Sequence, residues 1–193
     1  MIDIANASIV LFDKKSLFKK SSFRNRMMLA GPKGPVLLSI PIIGGRNIKV
    51  PYGEVRIDYK TDWQKNHYRT IETLYGKSPW FDEYKPALIN LFNTRVEFLF
   101  EWNMACFKWI TQKINVKRSI LVDVEPLTSA EDIIIKVDVF TPANYSNFFA
   151  IPLVKYPQVF EDRTGFLANL STLDLLFNEG PFAKHKIESG IIK

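Results

Sequence analysis

Cysteine is nearly absent: Cys106 is the one thiol in 193 residues, which excludes an internal disulfide and any cysteine-rich zinc site. A chain without disulfide staples is expected in a reducing, cytoplasmic compartment. Long apolar runs are absent too. Stretches such as Ile9 to Phe12 and Phe148 to Val154 fall far short of the ~20 residues of a membrane span, and Met1 to Phe12 carries Asp3 without the basic leader of a signal peptide. There is no Gly-x-Gly-x-x-Gly and no P-loop, and the two histidines, His67 and His185, lie too far apart to suggest a metal pair. The most telling deficit is of acid. Residues 14 to 53 hold nine basic side chains (Lys14, Lys15, Lys19, Lys20, Arg24, Arg26, Lys33, Arg46, Lys49) and no Asp or Glu, so the rest of the chain has 17 bases against 20 acids, −3 within a total of +6. Such a region attracts nucleic acid, anionic lipid or a phosphorylated metabolite; the plainer reading is an edge strand whose lysines deter sheet-to-sheet pairing. Few aromatics beyond Phe18 and Phe23 interleave with these bases, which weighs against nucleic acid.

What is present is apolar and aromatic. Hydrophobic residues make up 47% of the chain and phenylalanine occurs 15 times, enough for one domain spanning residues 1–193 with a core of large flat side chains. Ser8 to Phe12 reads as a first strand. Phe23 to Leu29 and Val36 to Ile42 read as an antiparallel hairpin around Gly31-Pro32-Lys33-Gly34-Pro35. Ile43-Gly-Gly-Arg-Asn47 reads as a loop that could offer backbone N–H groups to an anion, and Glu54 to Asp58 as a short half-exposed strand. Thr61-Asp-Trp-Gln64 matches a capping box, after which Trp63, His67, Ile71, Leu74 and Tyr75 recur on one helical face and Gly76 ends the run. Ser78-Pro79 predicts a second helix to about Asn93, and a third covers Arg95 to Ile114 with two apolar faces. Ser119 to Asp123 reads as a strand. From Pro126 to Pro157 the signals conflict: Ser129 to Asp132 looks like a cap, Ile133 to Phe140 is β-branched, and Asn144 to Phe149 has no period. Ser171-Thr-Leu-Asp174 caps a short helix through Phe177, Asn178-Glu-Gly-Pro181 stops it, and Lys184 to Lys193 reads as a frayed basic tail. The fold class expected is α/β: a mixed sheet containing the hairpin, about three main helices and a short C-terminal one.

Several fragments together resemble the WbqC-like protein family of bacteria: Ser22-Phe-Arg-Asn-Arg26, the helix start from Trp63 to His67, Tyr75-Gly-Lys-Ser-Pro-Trp-Phe81, Arg95 to Phe100 with Asn103, and above all Phe166 to Pro181. In that family a strand and a Pro- and Tyr-rich turn ordinarily precede the counterpart of Ser8 to Phe12, and this chain is expected to lack them. The resemblance implies a transferase of surface-polysaccharide (O-antigen) biosynthesis, passing an acyl or aminoacyl group to a sugar. A non-catalytic anion- or glycan-binding scaffold of the same pathway is the alternative.

Under the transferase reading, Arg24, Arg26 and Arg46 are candidate clamps for a phosphate or carboxylate of an anionic small molecule or nucleotide-linked sugar. Asn25 would orient the substrate, His67 would be the general base, and Trp63, Tyr75 and Phe81 would form an apolar wall. Asn103 is either a satisfied buried amide or a polar group touching substrate, and Asn178 joins the candidates through the C-terminal motif. Bland readings stand beside these: a histidine on a buried stripe is ordinarily a hydrogen-bonded core residue, and Cys106 on an apolar helix a core thiol. If Ser22 to Arg26 is regular strand, Arg24 and Arg26 share one face and Asn25 takes the other.

Overall fold

The computed structural model of the chain describes residues 9–45, 48–117, 119–123, 141–143 and 154–189. Among the described residues, four strands form two pairs. β1 (Ile9–Phe12) lies parallel to β4 (Ser119–Val122), and β2 (Arg26–Gly31) lies antiparallel to β3 (Gly34–Ser39). Around them lie α1 (Trp63–Tyr75), α2 (Phe81–Asn93), α3 (Leu99–Lys113), the single-turn α4 (Glu161–Thr164), α5 (Thr172–Glu179) and α6 (Ala183–Ser189). The α/β class expected from the sequence is the one observed. Arg46, Arg118, the cap at Ser129–Asp132, the β-branched run Ile133–Phe140 and Asn144–Phe149 lie outside the described residues.

The predicted apolar stripe of α1 is the buried one: Trp63, His67, Ile71, Leu74 and Tyr75 all face inward, as i, i+4 spacing dictates. Element ends moved wherever a distant partner claimed a capping group. Gln64 does not close a capping box; its amide donates to the Thr94 carbonyl at 2.6 Å, tying α1 to the end of α2. Ser78 caps no helix start, because its hydroxyl donates to the Tyr75 carbonyl at 2.6 Å and the Trp80 N–H donates to the Phe177 carbonyl at 3.0 Å. The second helix therefore begins at Phe81. The third begins at Leu99 rather than Arg95, since Phe98 bridges Arg56 and the Leu99 N–H donates to the Val55 carbonyl at 2.8 Å. That same pairing leaves Glu54 to Asp58 with isolated bridges to Ile42 and Phe98 in place of a ladder strand. The tail expected to fray is helical through Ser189, with Ala183 and Ile187 buried one turn apart.

α5 is enclosed on all sides: Leu173, Asp174, Leu175, Leu176 and Phe177 are consecutive and buried. Its N-cap is Ser171, as predicted, whose hydroxyl accepts from the Leu173 N–H. Gly180 ends it with φ +54°, and a Cβ there would sit 2.2 Å from the Trp80 indole. Only glycine permits that approach.

Within α5, the Asp174 carboxylate is wholly buried and accepts three hydrogen bonds. The Tyr75 hydroxyl donates to Oδ1 at 2.7 Å, the Tyr156 hydroxyl to Oδ2 at 2.7 Å, and the Gln158 amide to Oδ2 at 3.0 Å. The Ala30 N–H of β2 in turn donates to the Tyr75 oxygen at 2.9 Å. Burial pushes the carboxyl above the ordinary aspartate range while the three donors oppose the shift. Burial beside this carboxylate raises both phenols, so they remain protonated donors. Three segments thereby meet at one acceptor, and β2 joins them through the Tyr75 oxygen. Tyr75→Phe and Tyr156→Phe are each expected to cost about 1–3 kcal/mol by leaving the carboxylate short of a donor. Because both act on Asp174, urea unfolding of the double variant should show coupling; small, additive losses would mean the network carries no such weight.

Candidate functional site

The segment from Ser22 to Arg26 is not regular strand. Ser22 accepts from the Arg24 N–H at 3.3 Å and caps a 3-10 turn, Phe23–Asn25, before β2 starts at Arg26. The cause is local: a serine hydroxyl offers the backbone a partner that a strand would not. Arg24 and Arg26 consequently lie in different elements and serve different contacts.

Arg24 turns back on the preceding loop. Its guanidinium donates to the Leu17 carbonyl and to the Ser16 hydroxyl, both at 3.2 Å, and lies 4.8 Å from the centre of the Tyr52 ring. The Asn103 amide of α3 donates to the Arg24 carbonyl and to the Tyr52 hydroxyl. Asn25 donates to the Ile40 carbonyl at 2.9 Å while the Ile40 N–H donates to the Asn25 carbonyl at 2.8 Å, which prolongs the hairpin past β3. Arg24, Asn25 and Asn103 thus form one group of contacts that fastens the base of the hairpin to α3.

Arg26, His67 and Trp63 form a second group. Arg26 pairs in register with Ser39, and the Ser39 backbone meets the His67 imidazole. The same two elements also touch at Ala30 and Tyr75. Counting back from that contact, four strand residues reach Arg26 and eight helix residues reach His67, about 13 Å and about 12 Å respectively. Strand and helix therefore run level, and Arg26 and His67 arrive at the same end. Trp63, one turn before His67, packs edge-on against it at 5.2 Å and against Trp102 at 5.1 Å. Arg26 Nε, His67 Nδ1 and Trp63 Nε1 are each buried without a hydrogen-bond partner among the described residues. Buried polar atoms are rarely left so. Burial lowers the His67 pKa to about 4, the Ser39 backbone offsetting part of the shift, so the ring is neutral at neutral pH.

The remaining candidates lie at the other end of α1. Tyr75 belongs to the Asp174 network, Phe81 and Tyr75 pack on Phe177 at 5.3 and 5.2 Å, and the Asn178 amide donates to the Asp174 carbonyl at 2.7 Å. Sequence reasoning missed Asp174, Gln158 and Tyr52. Asp174 sat inside the capping signature Ser171-Thr-Leu-Asp174, where an acid is explained by the helix dipole alone. A cleft of about 340 Å³ opens elsewhere, between the end of α3 and β4, lined by Phe107, Lys108, Thr111, Lys117 and Ile120 among others. Burial pushes the Cys106 thiol up to about 12, far from a nucleophile's range. Among the described residues no His, Cys, Asp and Glu converge on a metal position.

The WbqC-like protein family model matches residues 2–138. The chain belongs to the WbqC-like protein family. The WbqC-like match takes in Arg24, Asn25, Arg26, Trp63, His67, Tyr75, Phe81 and Asn103, and ends before Asp174 and Asn178. No curated protein and no solved structure matches the chain.

His67 makes stability depend on pH in a defined direction. Its folded pKa, about 4, lies below the unfolded value of 6.5, so from 6.5 down to 4 the unfolded chain takes up the proton first and stability falls. The contribution is complete above pH 6.5, and its slope approaches about 1.4 kcal/mol per pH unit. Urea unfolding of the protein and of His67→Gln between pH 7 and 4 should give a shallower dependence for the variant; parallel curves would refute the assignment.

Proposed function

We propose that the protein is a transferase of bacterial surface-polysaccharide (O-antigen) biosynthesis, working on the cytoplasmic side and moving an acyl or aminoacyl group to a sugar. In this reading Arg26 binds an anionic group of the substrate, such as the diphosphate of a nucleotide-linked sugar. His67 acts as the general base and Trp63 forms an apolar wall. Arg24, Asn25 and Asn103 hold the hairpin base in position, and Tyr75, Phe81 and Asn178 hold α1 against α5.

The observation that carries the reading is the pair of unpartnered buried nitrogens, Arg26 Nε and His67 Nδ1, at the Ser39 end of the hairpin. A guanidinium is a planar donor suited to phosphate or carboxylate oxygens, and a neutral imidazole has a lone pair free to take a proton. An anion seated beside the ring would favour imidazolium and raise its pKa from about 4 back toward neutrality. The base would thus be tuned when substrate is bound, where general-base catalysis is most effective. Family membership supports the pathway. The depth of His67, 7% exposed, favours a second reading, an anion- or glycan-binding protein of the same pathway without turnover.

A thermal-shift screen against nucleotide sugars, nucleotides and acyl carriers tests both. A stabilising ligand should be found whose affinity drops about tenfold or more in Arg26→Ala and survives in Arg24→Ala at a lower baseline. His67→Gln should keep the ligand and lose about a hundredfold in transfer rate. Binding unaffected by Arg26→Ala would end the anion-site assignment, and binding without transfer would select the second reading.

A further inference from the structure

Ahead of the hairpin, the chain forms a ledge that the site does not use. Leu17 bridges Pro51 antiparallel, with the Phe18 N–H donating to the Val50 carbonyl at 2.9 Å and the Tyr52 N–H to the Ser16 carbonyl at 2.8 Å. Phe18 is buried beneath. Ser16 is half-buried and Phe18 buried, while Lys15, Leu17 and Lys19 are exposed. Leu17 is 65% exposed, the most exposed of the large apolar side chains described. Lys49, two residues before Pro51, is exposed as well. Among the described residues Lys15, Lys19, Lys20 and Lys49 have no acidic partner, whereas Lys14 is tied to Asp123 at 3.3 Å.

We propose that this ledge docks the protein on an anionic bilayer surface, with Leu17 entering the boundary between headgroups and acyl chains and Lys15, Lys19, Lys20 and Lys49 meeting lipid phosphates around it. Charge alone would suit any polyanion; the aliphatic tip selects lipid. Leu17 gains nothing from a nucleic-acid backbone, but apolar area removed from water is favourable and polybasic segments add attraction to anionic lipid. Nucleic acid would call for exposed stacking rings, yet Phe18 and Tyr52 are buried. Backbone hydrogen bonds to Val50, Tyr52 and Gly53 hold the ledge in shape, so little chain entropy is lost on docking. No helix among the described residues is long and apolar enough to cross a membrane, and a surface contact of this kind requires none.

Co-sedimentation with vesicles of phosphatidylcholine, with and without a third of phosphatidylglycerol, tests the proposal on the full chain. Binding is expected to the anionic vesicles, to weaken with salt, and to be absent on phosphatidylcholine alone. The double variant Lys15→Gln with Lys19→Gln should lose roughly 25-fold, on the scale of about fivefold per lysine. Leu17→Ser should lose about tenfold. All of these positions are exposed, so unchanged thermal unfolding verifies the fold. No binding to anionic vesicles, equal binding to neutral ones, or indifference to Leu17→Ser would overturn the proposal. Retention of an oligonucleotide through the same lysines, without vesicle binding, would overturn it in favour of nucleic acid.

Discussion

One buried carboxylate organises this molecule. Asp174 accepts from Tyr75, Tyr156 and Gln158, so α5, the end of α1 and the segment entering α4 meet at a single acceptor, and β2 joins through the Ala30 N–H on the Tyr75 oxygen. A carboxylate removed from water is tolerated only when its lone pairs are met. That requirement makes the arrangement cooperative, since each donor is worth most when the others are in place. Gln158 extends it by closing a two-bond clasp with the Leu167 backbone, at 2.8 and 2.9 Å.

The candidate site inherits its geometry from this node. Ala30 and Tyr75 bring β2 and α1 into contact at one end, and equal lengths of strand and helix carry Arg26 and His67 to the other. Among the described residues the side-chain polar atoms about Asp174 are paired, while Arg26 Nε, His67 Nδ1 and Trp63 Nε1 are left open, as is Trp109 Nε1 on α3. Strain of this sort is ordinarily stored where a ligand relieves it. The positive charge of the N-terminal region is likewise divided. Arg24 is spent on Ser16, Leu17 and the face of Tyr52, Arg26 is half-buried at the hairpin base with its Nε out of solvent, and lysines stand outside on the ledge.

Much of the secondary structure was legible in the residues. The hairpin, the buried face of α1 and the Ser171 cap follow from turn chemistry, helical period and capping preference, all of which act within a few positions. Several helix starts went astray for one reason. Gln64, Ser78 and Phe98 each carried a plausible local signal, and each was claimed by a partner outside its own helix: the Thr94 carbonyl, the Tyr75 carbonyl and Arg56. Ser22 is the converse case, where a local cap overrode the strand pattern around Arg24. Of the candidate site, His67 and Arg26 were legible as types but not as neighbours, because 41 positions of sequence separate them.

By itself, then, the sequence determined the chemistry available: an acid-free basic stretch, one thiol, two histidines, an apolar aromatic core, and the motifs by which the family is recognised. Tertiary structure alone decided which of those groups are consumed and which remain. Tyr75 and Asp174 lie 99 positions apart and Asn103 and Arg24 lie 79, and no local preference encodes a hydrogen bond over such spans. Burial did the rest, holding His67 neutral, keeping Cys106 protonated and leaving Leu17 in solvent, because the cost of removing a group from water depends on the whole fold and not on the residues beside it.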